Sequence, residues 1–126
     1  MGQVVAVFDE RSPIYQQIAD KIKEDILTGV LGEDEQVMST NQYAAYYRIN
    51  PATAAKGFHQ LLDESILYKR RGIGMFVSPD ARERLRAQRR ERFFDGVVAP
   101  MVAQAKVLDI PLTEVLSYIE RHGGQP

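Results

Sequence analysis

The chain has no cysteine. Disulfides, thiol nucleophiles and zinc–thiolate sites are therefore excluded, and a reducing compartment suits the composition. Histidine is scarce too, with His59 and His122 far apart in sequence. No histidine metal set, acid–base pair or activated nucleophile stands out, so the chain is not read as an enzyme. Three adjacent carboxylates, Glu33, Asp34 and Glu35, lack the spacing of a Ca²⁺ loop and read as a solvated turn. No apolar run approaches the ~18–20 residues needed to cross a bilayer. The opening MGQVVAVFDE has no basic n-region, its apolar stretch ends at Asp9, and Ala6 stands where myristoylation wants Ser or Thr. A cytoplasmic protein without cofactor, metal or membrane is the expectation.

The chain has 126 residues, 44% of them apolar, which suits one small domain with an appendage rather than a disordered chain. Net charge is −1. The distribution says more than the sum. Residues 36–92 hold eleven Lys/Arg against five Asp/Glu, whereas the rest hold five against twelve. One basic region on a near-neutral chain is the electrostatic footprint expected of a DNA-binding protein, and a solvated charge-rich surface is the alternative.

Val4 to Phe8 is β-branched and apolar, a candidate strand or extended arm. Ser12-Pro13 forms an N-cap and first-turn pair. Ile14, Ile18, Ile22 and Ile26 then recur at i+4 as the stripe of an amphipathic helix that Gly29 ends. Residues 30–38 read as a loop. Ser39-x-x-Gln42 is a capping box opening a short helix with Tyr43, Ala44 and Tyr47 inward. Arg48-Ile49 makes a turn, Asn50 caps a third helix and Pro51 occupies its first position. In that helix Ala54, Phe58, Leu61 and Leu62 face inward. Ala52, Thr53, Lys56, His59 and Gln60 face out. Ile66 to Val77 then predicts a hairpin whose turn, Arg70-Arg71-Gly72-Ile73-Gly74, is basic and flexible.

Helix, tight turn, helix and basic hairpin in this order predict a winged helix-turn-helix over residues 1–78, with duplex DNA as partner. Small residues at the start of the third helix let it enter a major groove, and donors follow them. Thr53, Lys56 and Gln60 are the candidate groove contacts, with Ala52 leaving room for a base methyl. Ser39 and Thr40 present a helix N-terminus to a phosphate. Arg48 and Asn50 lie in the turn, and Arg70, Arg71, Gly72 and Gly74 form the wing.

Residues 79–126 read as a helical tail, giving a mainly α fold with one small β-hairpin. A long helix begins at Ser78-Pro79-Asp80 and runs to about Leu108, with Pro100 expected to kink or split it. Its arginines between Arg82 and Arg92 point in nearly every direction. They read as a solvated helix tied by Glu83 and Glu91, or as extra phosphate contacts. A last helix spans Leu112 to Arg121. Phe93, Phe94, Val97, Val98, Met101, Leu108, Leu116 and Ile119 form an apolar seam. About fifty residues cannot bury such a seam alone. It packs on the first domain or, as favoured here, on a second copy in a two-fold dimer.

The stretches PIYQQIADKIKEDILTG, INPATAAKGFHQLL and YKRRGIGMFV resemble the GntR family of bacterial transcription regulators, and the short tail resembles its YtrA-like subfamily. The resemblance implies a homodimeric DNA-binding regulator, most often a repressor. A two-helix tail without room for a pocket of ~300 Å³ argues against a small-molecule effector. Val37-Met38-Ser39 replaces the family's usual Leu-Pro-Ser step, Asn41 replaces a common arginine, and Pro51 stands where many relatives have arginine. Lys56 keeps a basic position. A winged-helix protein-interaction module is the rival reading, with the arginine run docking an acidic partner.

Overall fold

The computed structural model describes residues 8–124. Residues 4–7 of the candidate arm Val4–Phe8, and the last two residues of the chain, lie outside that range. The described chain runs α1 (Ile14–Leu27), α2 (Thr40–Tyr47), α3 (Pro51–Asp63), β1 (Leu67–Arg70), β2 (Gly74–Val77), α4 (Ala81–Phe93), a π-helical turn (Phe94–Val98), α5 (Ala99–Val107) and α6 (Leu112–Gly123). It divides into two compact units, one through Arg86 and one from Ala87. The expected boundary at 78 falls two helical turns earlier. Ala81 and Leu85 explain the difference, because both are buried in the first unit's core.

The isoleucine stripe of α1 drives the first unit. Ile18, Ile22 and Ile26 are almost fully buried, against Phe58 and Leu61 of α3 and Ile66, Leu67 and Val77 of the hairpin region. Each large side chain so buried contributes roughly 1.5–3 kcal/mol. Pro13 rather than Ser12 takes the N-cap of α1, with no side-chain cap. Gln17 instead reaches back, its amide donating to the Ser12 and Asp9 carbonyls.

Gly57 lies mid-helix in α3, where glycine costs helix stability. A Cβ there would come 2.9 Å from the Tyr15 carbonyl oxygen and 3.0 Å from Ile18. Glycine thus lets α1 and α3 approach backbone to side chain. Nothing in the residue pattern marks it out, because it sits between polar Lys56 and apolar Phe58.

The hairpin pairs Leu67 with Val77 through Arg70 with Gly74. Residues 34–37, expected as loop, run against its outer edge. Gln36 bridges Phe76, the Val37 N–H donates to the Met75 carbonyl and the Val77 N–H to the Glu35 carbonyl, both at 2.9 Å. This strip has too few apolar residues to announce a strand; pairing with β2 creates it. Tyr68 adds a hydrogen bond to Asp34 at 2.8 Å, which raises the phenol's pKa.

Two arginines of α4 close the ends of other helices. Arg82 donates to the Leu27 carbonyl at the end of α1 (3.2 Å). Arg84 donates to the Glu64 and Ser65 carbonyls at the end of α3 and pairs with Asp80 at 3.0 Å. A cation at a helix C-terminus satisfies orphan carbonyls and opposes the dipole. The first turns of α4 are thus tied mainly to backbone carbonyls, a role the two readings of the arginine run did not include.

In the second unit the long α-helix is interrupted ahead of Pro100, which sits in the first turn of α5. The π-helical turn before it, with the Ala99 N–H bonded to the Phe94 carbonyl, widens the ladder where the proline ring would clash. α5 and α6 meet at a tight corner in which the Ile110 N–H donates to the Ala105 carbonyl at 2.8 Å. Ala105 is the one buried residue among the described residues of this unit. Seven members of the expected seam, including Phe94, Val97, Leu116 and Ile119, are exposed, and Val98 is half-buried. The tail also carries an open apolar groove of about 580 Å³, lined by Met101, Ala105, Leu108, Ile110, Val115 and Ile119 among others. The expectation of no sizeable pocket therefore does not hold, and the size argument against an effector lapses.

Gly57→Ala is expected to lower the stability of the first unit by about 1–3 kcal/mol despite alanine's better helix propensity. Urea unfolding followed by circular dichroism reads this directly, and an unchanged or raised midpoint would show that α1 and α3 separate without cost.

Candidate nucleic-acid interface

The capping box of α2 forms as its spacing predicts. The Gln42 N–H donates to Ser39 Oγ at 3.1 Å, and the Ser39 N–H donates to Gln42 Oε1 at 2.9 Å. The helix ends at Arg48, whose φ of 56° is left-handed, and the Ile49 N–H returns to the Ala44 carbonyl. Arg48 is exposed there, its side chain free of the core. Asn50 then caps α3 by accepting the Ala52 N–H at 2.7 Å. The cap and Pro51 start α3 immediately after the turn, which gives the helix-turn-helix its short connection.

Packing fixes which face of α3 is presented. Ala54, Gly57, Phe58 and Leu61 are buried. Ala52, Lys56, His59 and Asp63 are exposed, on an arc of about 60° at about 100° per residue. Thr53 and Gln60 are half-buried on the flank toward α1. The Gln60 amide donates to Glu64 at 3.2 Å, and Glu64 pairs with Lys23 of α1 at 2.7 Å. The Lys56 ammonium sits 4.1 Å from the centre of the Tyr15 ring.

On the other flank the structure joins α2, α3 and the wing around one groove of about 630 Å³. Ser39 and Thr40 contribute to it from α2, and Gly74 from the wing, as the sequence reading grouped them. Lys69, read from the sequence with Arg70 and Arg71 as a phosphate partner, lines it as well, and so do Ala55 and His59, which were not among the candidate contacts. The i, i+4 spacing of Ala55 and His59 was available as a signal, but the weight fell on longer donors.

The wing tip is a three-residue loop, Arg71-Gly72-Ile73, with Gly72 at φ 76°. Arg71 and Gly72 are exposed, and the Arg70 guanidinium lies 5.6 Å from the Phe76 ring centre. Gly74 has φ 148°, and a Cβ there would meet the Gln36 amide at 2.6 Å. That amide donates to the Ile73 carbonyl at 3.1 Å and so braces the wing from below. Burial of the Tyr43 hydroxyl pushes its pKa up, so this phenol stays neutral. No cluster of His, Asp or Glu able to hold a metal occurs among the described residues. No helix there is long and apolar enough to cross a membrane.

No family model matches the chain. A solved transcriptional regulator of the GntR family from Bacteroides thetaiotaomicron is 32% identical, covering 86% of this chain and 97% of that one, with a TM-score of 0.62. The chain belongs to the GntR family. The HTH-type transcriptional repressor YtrA of Bacillus subtilis (strain 168) is 34% identical to this GntR chain over 79 residues, 61% of each. The chain spans less than two thirds of the first curated relatives it matches, and only 27% of the repressor NagR from the same organism. A solved DNA-binding domain of AraR in complex with its operator ORX1 shares the fold at 22% identity, covering 60% of this chain and 96% of that one with a TM-score of 0.54. The family and the YtrA-like resemblance thus agree with the motifs quoted above, and the mainly helical fold with its hairpin agrees with the winged helix-turn-helix expectation.

Arg48→Gly is expected to leave stability unchanged or raise it by up to about 1 kcal/mol, because glycine removes the cost of the left-handed backbone. A urea midpoint that falls instead would mean that the side chain holds the turn together.

Proposed function

We propose that this GntR-family chain is a sequence-specific DNA-binding transcription regulator, a homodimeric repressor that occupies a two-fold operator near a promoter. The observation that carries the reading is the convergence of an exposed α3 face, the α2 N-terminus and a basic wing around one groove, in a basic stretch of an otherwise acidic chain. Ala52, Thr53 and Lys56 enter the major groove, and Gln60 follows on the α1 side. Ser39, Thr40, Arg48 and Asn50 hold the adjacent phosphates. Arg70 and Arg71, carried by Gly72 and Gly74, follow the backbone beside them. Repression follows from occlusion of the promoter and needs no catalysis. The solved AraR operator complex, similar in fold, supports DNA as the partner.

The tail supports a dimer. Its apolar side chains are exposed and its core amounts to Ala105 among the described residues, so it gains by covering Phe93, Phe94, Val97, Val98, Met101, Leu108, Leu116 and Ile119 with a second copy. A dimer also matches the two-fold symmetry of paired half-sites.

Fluorescence anisotropy on the duplex upstream of the protein's own gene, at two salt concentrations and against an unrelated duplex, tests the first claim. Tight, salt-sensitive and selective binding is expected. Absence of binding to either duplex at low salt would overturn it and favour the protein-interaction module. Arg48→Gly is expected to weaken binding to both duplexes and to reduce the slope of log affinity against log salt by about 1.

Sedimentation equilibrium tests the dimer. Leu116→Glu is expected to give monomers and a weaker, unpaired footprint, with the helical circular dichroism of the first unit kept. A wild-type chain that sediments as a monomer at micromolar concentration would remove the dimer from the proposal.

A further inference from the structure

The polar side chains of α3 are not equally available to a ligand. Lys56 rests on the Tyr15 ring. Gln60 donates to Glu64 within an ion-paired flank. Thr53 is half-buried, and Asn50 is occupied in capping. His59 differs on every count. It is exposed, it lies on the outward arc with Ala52 and Lys56, and it lines the groove shared with α2 and the wing. No hydrogen bond, ion pair or ring contact ties its imidazole to another of the described residues.

Its neighbours shape what it can meet. Ala55, one turn earlier on the same flank, is small and leaves the way in open. Lys69 of β1 faces the same groove and brings a positive charge to its far wall. Asp63, one turn later, carries a carboxylate that a polyanion avoids, so the usable arc of α3 ends at His59.

We propose that His59 is a base-reading residue, donating from its imidazole N–H to the N7 or O6 acceptors of a purine in the major groove, while Lys69 holds the phosphate beside it. The inference rests on the DNA-binding reading above and deepens it. An imidazole carries one donor in its neutral form and two when protonated, so it meets the acceptor edge of a purine in either state. Guanine offers two such acceptors there and adenine one, whereas the pyrimidines lack the N7 position. The side chain is short and planar, and it stands where Ala52 and Ala55 leave the helix surface low. Position 59 would then set the preference for one base pair in each half-site, and Lys69 would add affinity without choosing a base.

Selection of the full chain against a pool of randomised duplexes, followed by anisotropy on the selected site, tests this. Wild type is expected to enrich a two-fold site with a purine at one fixed position of each half. His59→Ala is expected to bind that site about tenfold more weakly, to enrich the remaining positions, and to accept all four bases at the fixed one, with the salt slope unchanged. His59→Gln is expected to move the preference at that position toward adenine, which glutamine reads through N6 and N7. Lys69→Ala is expected to lower the slope by about 1 and leave the preference intact.

If His59→Ala keeps the wild-type preference, the inference fails. It fails also if the variant loses slope but not selectivity, because His59 would then be a phosphate contact. A wild-type chain that enriches no sequence defeats the proposed function itself, so the two failures are distinguishable. Since His59 is exposed, both variants should match wild type in circular dichroism and urea midpoint.

Discussion

The close seat of α1 on α3 at Gly57 is the constraint on which the rest of the first unit depends. With a methyl group 2.9 Å from the Tyr15 carbonyl the two helices could not hold this separation. Their contact buries Ile18 against Phe58 and Leu61, and it brings Tyr15 beneath Lys56 and Lys23 beside Glu64. Burial decides which arc of α3 remains outside. A helix rotated by one residue, about 100°, would present a different set of side chains. The face that α3 presents is thus a consequence of core packing as much as of the residues that line it.

The wing depends on a second support of the same kind. An isolated two-stranded hairpin is marginal in water. Here residues 34–37 add a third edge, and the Gln36 amide passes through the space left at Gly74 to reach the Ile73 carbonyl. The flexible, basic tip is therefore mounted on a braced base. Arg82 and Arg84 do for the helix ends what Gln36 does for the wing, tying α4 to the last carbonyls of α1 and α3. In the second unit Ala105 is the one buried residue among those described. Its exposed aromatics and aliphatics, Phe93, Phe94, Val97 and Leu116 among them, are not covered within it.

Much of the first unit was legible residue by residue. The i+4 isoleucines, the Ser39–Gln42 capping box, the Asn50-Pro51 start and the glycine-bearing hairpin all act within a few residues of themselves, so their geometry follows from local chemistry. The same is true of Gly29 and Gly72, whose positive φ angles close a helix and a turn. The remaining details rest on contacts that the residue pattern does not reveal. The N-cap is Pro13 rather than Ser12, and the Gln17 amide donates to the Ser12 carbonyl. Pro100 interrupts the long helix as its ring demands, but the form of the interruption, a π-helical turn before it, is not announced by the residues. The strip at 34–37 is ordered by β2, some forty residues away in sequence.

The amino-acid sequence alone determined the order of helices and strands, the basic segment, the absence of thiol chemistry, and the apolar residues of the tail, since each follows from periodicity, capping or composition. Only the tertiary structure decided that Gly57 is a contact point, that Arg82 and Arg84 cap other helices, and that His59 rather than Gln60 faces the groove between α3 and the wing. These depend on which surfaces meet across long stretches of chain. A helical wheel ranks faces by polarity, but the direction in which a polar side chain is held depends on the partner it finds.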